Sequence, residues 1–424
     1  ASQALLENEA GTMEKGGTPV ALALEGIRVL DFTAHTSGPT ATAMLADNGA
    51  EVIKVEPCGK GEDTRALFPK IDGVAMTYMW NNRSKKSITI NMKDPEGARI
   101  LKALGKTCDI VVENFRPGMM DRLGLGYQDF KRVKPDIIYA ALSAFGQTGP
   151  RAADPGFDII VQGASGIMDL TGEPDGLPTK SGFVLGDMVG GKELYGAILT
   201  ALVYKLRTGK GQFVDVGMLE VMTSMNIYID QVFIGRHATR VGRHHNSLAP
   251  YGVLRGKHGQ TLILAAFTQK HWRILCEDIL KRAELVEDPR FVDVKVRVEH
   301  VKELEAIIEA WLGQFEDIQQ AKALLDAAGL VCDKIQSTTE VAQDAQLLSR
   351  GGIIDMPGTK TMQRDGFLTW KTRGPVAKFS ETPSEVRQAP ELGEHNYEIL
   401  GQIGLDRRQI HDLEVRWGQE ITPL

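Results

Sequence analysis

Short apolar runs separated by helical patterns recur through the first third of the chain, and this alternation restricts the fold more than any other feature. Gly26 to Phe32 (GIRVLDF) reads as a short strand. The turn Thr36-Ser37-Gly38-Pro39 and a helical stretch, ATAMLADNGA, lead to a second strand, Glu51 to Glu56 (EVIKVE). Strand, tight turn, helix and strand make a βαβ unit whose two strands should be parallel. Ser87 to Ile90, Asp109 to Glu113 and Ile137 to Leu142 read as further strands. Asp94-Pro95-Glu96 is a helix start, with Asp as cap and Pro at the first helical position, and that helix should run to about Gly105. Strands alternating with helices predict an open α/β sheet. Ligands in such sheets bind at the carboxyl ends of strands, here near Ala34 to Pro39 and Glu56 to Arg65. No GxGxxG follows the first strand, so a dinucleotide fingerprint is not supported.

A chain of 424 residues is too long for one ordinary core, so two domains, or one with a large insertion, are expected. Residues 1–18 read as a flexible tail, 19–227 as a large Rossmann-like domain, 228–345 as a smaller α+β domain, and 346–424 as a return that completes the large one. Within these, Phe213 to Val216 is a strand and Leu219 to Phe233 a single helix. Residues 235–250 are basic and His-rich, and strands at Tyr251 to Arg255 and Thr261 to Ala266 precede charge-rich helices that run to about Gly329. Two amphipathic helices are expected near His395 to Gly401 and Asp406 to Leu413.

The net charge is −6 with mixed signs, which argues against a nucleic-acid binder. No apolar run approaches the roughly 20 residues of a membrane span. Cys58, Cys108, Cys276 and Cys332 are scattered without metal-ligand or redox spacing, so a reduced cytoplasm is the expected location. His237, His244 and His245 read as part of a basic loop that meets an anion rather than as metal ligands, and no metal is expected.

One carboxylate stands out. The stretch Asp169 to Gly191 (DLTGEPDGLPTKSGFVLGDMVGG) runs from a polar turn into Gly186-Asp187 at the start of an apolar helical segment. An Asp in that place caps the first free amides, and the helix dipole favours its ionised form. Gly186, Gly190 and Gly191 leave the carboxylate bare. It can therefore serve as a nucleophile, with the amides of Gly190 or Gly191 steadying an oxyanion, or as a general base; a metal ligand is disfavoured because Asp, Glu, His and Cys do not cluster around it in sequence. Arg83, Lys85, Lys86, Arg116 and Arg122 recur beside strand ends, which suits a phosphate-rich ligand.

The ordered motifs VLDF, SGP, LADNGAEVIKVE, NRSKKSITINMKDPEG, VVENFRPG, SAFGQTGP, TGEPDGLP, GD and TGKGQFVDV resemble those of class III CoA-transferases, the formyl-CoA and carnitine (CaiB/BaiF-like) type. The resemblance spans about residues 24–255 and continues more loosely to the end. It implies a Rossmann-like large domain built from both chain ends, a smaller domain, and two subunits interlocked like linked rings, as a homodimer or with a homologous chain. It matches the family's catalytic aspartate to Asp187, and CoA contacts to His35, Thr36, Ser37 and Gly38, to Lys85, to Asn114 and Phe115, and to Arg122. CoA enters as a thioester substrate, with no tightly bound cofactor.

The activity implied is transfer of CoA from a donor such as succinyl-CoA to a carboxylic acid, through an aspartyl anhydride and an aspartyl-CoA thioester. Two departures bear on the substrate. Related racemases abstract an α-proton with a histidine in a GHD-like segment, where this chain has Gly156-Phe157-Asp158. The formyl-CoA enzymes carry a glycine run where this chain has Ala265-Ala266-Phe267-Thr268-Gln269. A bulkier acceptor, such as the aromatic dicarboxylate benzylsuccinate, is therefore expected. The rivals are a racemase-type isomerase and a non-catalytic CoA-binding partner subunit.

Overall fold

Six strands form the main sheet of the computed structural model, which describes residues 22–418. They are β1 (Arg28–Asp31), β2 (Glu51–Glu56), β3 (Lys86–Thr89), β4 (Ile110–Glu113), β5 (Ile138–Ser143) and β6 (Phe213–Gly217). Their order is β3-β2-β1-β4-β5-β6. β1 pairs in parallel with β2 and β4, β2 with β3, and β4 with β5. The register sets Leu30 between Ile53 and Val111. Every residue of β4 and β5 is buried, which explains their continuous apolar reading: a parallel sheet is covered on both faces. The strand order reverses between β1 and β4, so the connections leaving these two strands diverge and open a crevice at their carboxyl ends.

The helices that matter below are α1 (Ser37–Asp47), α2 (Pro95–Gly105), α3 (Met119–Arg122), α4 (Asp158–Ala164) and α5 (Leu185–Thr208). Further along are α6 (Met218–Ser224), α7 (Val301–Leu312), α8 (Ile318–Ala327), α9 (Asn396–Gly401) and α10 (Arg407–Arg416). Asp94 caps α2 as its sequence demands, its Oδ1 accepting the Glu96 amide at 2.9 Å with Pro95 at the first turn. The helix expected over 219–233 is instead broken. It gives α6 and a separate turn at Ile229–Val232, because the Asn226 side chain accepts from the Tyr228 amide and donates to the Ser165 carbonyl. A short amide side chain competes with the helical ladder in this way.

The chain divides into two compact units. One holds the residues up to Ser143, Gly190–Val216 and those from Gly351 onward; the other holds Ala144–Val189 and Gly217–Arg350. These limits differ from the expected ones at 227/228 and 345/346: residues 144–189 group with the second unit, and α5 runs across the boundary. The tail expected over residues 1–18 lies outside the described residues.

In the first unit, Leu30, Ile53, Ile88 and Val111 from the sheet pack with Ile100, Leu101 and Leu104 of α2 and with Ile399, Leu400, Ile410 and Leu413 of α9 and α10. Segments from the two ends of the described chain thus share one core. Truncating a side chain such as Leu101 or Leu104 to Ala there costs about 2–5 kcal/mol. The second unit has a core of its own. β7 (Tyr251–Arg255), β8 (Thr261–Ala265) and β9 (Val331–Lys334) form an antiparallel sheet in the order β9-β8-β7. Leu262 and Leu264 pack there with Trp272, Phe291, Leu304, Ile308 and Leu325.

Candidate active site

The crevice predicted by the strand order exists in the first unit. It is a cleft of about 560 Å³ lined by Ala34 and His35 after β1, Asn114 and Phe115 after β4, Met119 on α3, and Trp417. Lys60 and Lys93 also reach it and supply positive charge. Asn114 fastens its floor. Its Oδ1 accepts the Ala34 amide at 2.8 Å, while its Nδ2 donates to the Ala34 carbonyl at 2.9 Å and to Ser37 Oγ at 3.3 Å.

His35 has φ 63°, a left-handed conformation uncommon for a residue with a β-carbon. Its amide donates to Glu62 at 3.2 Å and its carbonyl accepts from Asn81 at 2.6 Å, and these bonds hold the strain. Gly38 allows the close approach of α1: a β-carbon there would lie 2.5 Å from Thr33 Cγ2 and 3.1 Å from Asn114 Cγ.

The eight residues expected to contact CoA are thus distributed unevenly. His35, Asn114 and Phe115 line the cleft. Thr36, Ser37 and Gly38 form the start of α1 directly after it, and Ser37 and Gly38 are buried in packing. Arg122 is exposed on α3, one turn beyond Met119. Lys85 is placed elsewhere. Its ammonium is fully buried and donates to Asp31 Oδ2 at 2.9 Å, Asn82 Oδ1 at 2.9 Å and the Pro39 carbonyl at 3.3 Å. Burial pulls it down to about 8, against the opposing charge of Asp31. It braces the sheet and does not line the cleft. Trp417 was not anticipated: its indole N–H donates to Asp94 Oδ2 at 2.8 Å, which fixes the ring against the start of α2.

In the second unit, Asp187 sits inside the first turn of α5, two residues after the helix begins at Leu185, and is not its cap. Asp158, the first residue of α4, does the capping. Its Oδ1 accepts the Gly186 amide at 2.7 Å and the Asp187 amide at 3.3 Å. Gly186 is needed for this approach, since a β-carbon would lie 3.1 Å from that oxygen and 3.0 Å from Val161 Cγ2. Asp187 is half-buried, and burial, reinforced by the Asp158 charge, pushes its carboxyl up to about 6. Desolvation and a like charge thus act against the helix dipole, which by itself favours the ionised form.

Gly190 and Gly191 lie beyond the four free amides of the first turn, in positions where N–H groups bond carbonyls one turn back. They are not free oxyanion donors. Gly191 instead permits packing, because a β-carbon there would lie 2.4 Å from the Ser37 carbonyl oxygen.

The basic loop finds its anions within the second unit. Arg243 pairs with Glu305 at 3.0 Å and with Glu309, and His244 Nδ1 lies 3.6 Å from Glu305. The Ala265–Gln269 segment is pinned, with the Phe267 carbonyl accepting from the buried Arg297 at 2.8 Å. Among the described residues no group of three or more His, Cys, Asp or Glu could hold a metal ion, and no helix is long and apolar enough to cross a membrane.

Residues 24–396 match the family described as CoA-transferase family III. The chain belongs to this family. Its activity is that of a family III CoA-transferase, moving CoA between acyl-CoA thioesters and carboxylic acids. It is 37% identical over 386 residues to succinyl-CoA:glutarate CoA-transferase of Mus musculus, covering 90% of this chain and 86% of the mouse protein. It is 36% identical to succinate–glutarate CoA-transferase of Agrobacterium fabrum, covering 90% of this chain and 95% of that protein. A CaiB/BaiF family crystal structure from Brucella suis superposes with a TM-score of 0.79 at 32% identity, covering 90% of this chain and all of that one. The mixed α/β fold with a parallel sheet is that of this family-III CoA-transferase group.

The sequence points to Asp187 as a candidate but not to Asp158, because the Gly156-Phe157-Asp158 segment draws attention to its Phe. The signal was present. Asp158 and Gln162 stand four apart, the spacing that places two polar groups on one helix face.

Proposed function

We propose that Asp187 is the nucleophile of this CoA-transferase. The observation that carries the reading is a half-buried carboxylate in the first turn of α5, beside a second carboxylate that caps that helix. A carboxyl titrating near 6 is largely ionised at neutral pH, yet more basic than an ordinary aspartate, and so a better nucleophile. Its oxygen attacks the thioester carbonyl of the donor, the C–S bond breaks, and CoA thiolate leaves a mixed anhydride. The thiolate then attacks the aspartyl carbonyl, which releases the donor acid and leaves an aspartyl-CoA thioester. The acceptor carboxylate repeats the two steps in reverse. Each intermediate keeps acyl-transfer potential provided water is excluded.

CoA is a thioester substrate rather than a resident cofactor. The cleft after β1 and β4 is our candidate for its nucleotide, with Lys60, Lys93 and the start of α1 facing anionic groups. The donor is succinyl-CoA and the acceptor an aliphatic dicarboxylate of glutarate size, by analogy with the mouse and Agrobacterium relatives and with succinyl-CoA–D-citramalate CoA-transferase of Chloroflexus aurantiacus. This class ranks ahead of benzylsuccinate, to which none of these relatives' names refers. An interlocked dimer is supported by the apolar segment around Ile227, Phe233 and Ile234, which are 72, 83 and 73% exposed in the isolated chain. The scattered free cysteines fit a reducing cytoplasm. Racemisation lacks a base at Phe157, whose ring cannot accept a proton.

The test is to incubate the protein with succinyl-CoA, trap with hydroxylamine and map the modified peptide. Hydroxamate on the Ser181–Lys192 peptide is expected; a modification anywhere else, or none, refutes the covalent route. Deuterium wash-in at the α-carbon without an acceptor acid would establish the isomerase instead.

A further inference from the structure

Gln162 is 0% exposed, lies one turn after Asp158 on α4, and uses both ends of its amide. Its Oε1 accepts the Ser181 amide at 2.9 Å and Ser181 Oγ at 3.2 Å. Its Nε2 donates to Asp158 Oδ2 at 2.6 Å and to the Phe183 carbonyl at 3.4 Å. The connector that leads into α5 is otherwise exposed from Glu173 to Lys180 and again from Gly182 to Val184. Ser181 and the Phe183 carbonyl are where Gln162 fastens it, next to the Thr179 amide that donates to the Thr171 carbonyl at 3.0 Å.

The polarity of this chain of bonds is unique. A backbone amide can only donate, so the Ser181 N–H must meet the oxygen end of Gln162. The NH2 end then faces Asp158, which must accept. The other oxygen of Asp158 accepts the Gly186 and Asp187 amides. Turning the amide over would set NH2 against N–H and oxygen against carboxylate.

We infer that Gln162 is a positioning residue of this enzyme: it holds Asp158 as an acceptor and couples the 181–184 connector to the helical turn that carries Asp187. The inference rests on the reading of Asp187 as nucleophile. Gln162 touches no reacting atom and acts through Asp158. The charged groups near the pair are few. Among the described residues neither Asp158 nor Asp187 has an ion-pair partner, and the carboxylate of Glu220 on α6 is directed at Gly217. A change at residue 162 therefore reaches Asp187 without passing through a competing cation.

Two substitutions of opposite sign test this. Gln162→Glu keeps the acceptor for Ser181 but sets a carboxylate against Asp158, so the acid limb of kcat/KM should move up by about one pH unit. Asp158→Asn keeps an acceptor for the two amides and removes the charge, so the limb should move down by a similar amount. In both, kcat falls by about tenfold or more and KM for acyl-CoA stays within about twofold. If Gln162→Glu does not fold, Gln162→Met should lower kcat by about tenfold at unchanged KM, whereas a purely structural residue would lower thermal stability alone.

Folded variants with unmoved acid limbs and near wild-type kcat would overturn the role of Gln162. Hydroxylamine trapping of the wild type separates the two readings. Label at Asp187 with unshifted variants removes only Gln162, and absence of label removes the nucleophile.

Discussion

A cluster of buried carboxylates in the first unit and the Asp158–Asp187 pair in the second are treated in opposite ways. In the first unit Asp31, Glu62 and Glu56 each have a cation, whereas Glu113 at the end of β4 has only the Phe115 amide and burial pushes it up to about 8. Asp31 meets Lys85 at 2.9 Å, Glu62 meets Lys54 at 3.4 Å, and Glu56 meets Arg65 at 2.7 Å. Thr33 and Thr42 add hydroxyl donors to Asp31, and Ser87 adds one to Glu56. Burial pushes Asp31 and Glu56 up, but the neighbouring cations and hydrogen bonds outweigh it and hold both below the usual carboxylate range. In the second unit Asp158 and Asp187 face one another with backbone amides and Gln162, and no cation pairs with either among the described residues. The first arrangement fixes a sheet and the floor of a cleft. The second leaves one carboxylate destabilised in its charged form, which is the state a nucleophile leaves on attack.

The comparison can be broken most sharply at Asp187. Asp187→Asn should lower CoA transfer by about 10³-fold or more while the protein stays folded, measured as turnover with succinyl-CoA and a dicarboxylate. A variant that retained activity would place the chemistry elsewhere. In the first unit, Lys85→Met should instead cost stability, about 3–5 kcal/mol by denaturant unfolding, because it strands the Asp31 charge in the interior.

The next effect is smaller and has a definite sign. Asp187 has a raised carboxyl, about 6 folded against 3.8 for the free group. Folding therefore favours its protonated form. The stability this contributes is complete below about pH 4 and is lost as pH rises through 6. Asp187→Asn should accordingly be the more stable protein at pH 8, by about 1–2 kcal/mol after discounting for its partial exposure, with the gain absent near pH 3. Wild-type activity runs the other way, and kcat/KM should fall as pH drops through 6. At the lower end, Arg99→Ala, which removes an exposed pair with Glu96, should change stability by less than about 0.5 kcal/mol. A larger change would mean that paired charges at the surface matter as much as those beneath the cleft.

Much of this was legible in the residues. The β1–α1–β2 repeat, the Asp94-Pro95 start of α2 and the candidacy of Asp187 all follow from local patterns that the structure keeps. The misreadings share one cause. Lys85 follows a strand-adjacent basic cluster and reads as a phosphate ligand, but Asp31, 54 positions earlier, claims its ammonium. Gly190 and Gly191 read as amide donors near a helix start, but that start lies at Leu185, so their amides belong to the helix interior. Asp187 reads as its own cap, but Asp158, 29 positions away, takes that role. In each case a partner distant in sequence decided which groups remained free.

The sequence by itself determined the class of fold and the candidate nucleophile, because strand and helix periodicity and a Gly-Asp step at a helix start are local properties. Only the tertiary structure decided how basic that aspartate is and what holds it. Those follow from desolvation and from the Asp158 charge set beside it, and both depend on which parts of the chain fold against one another.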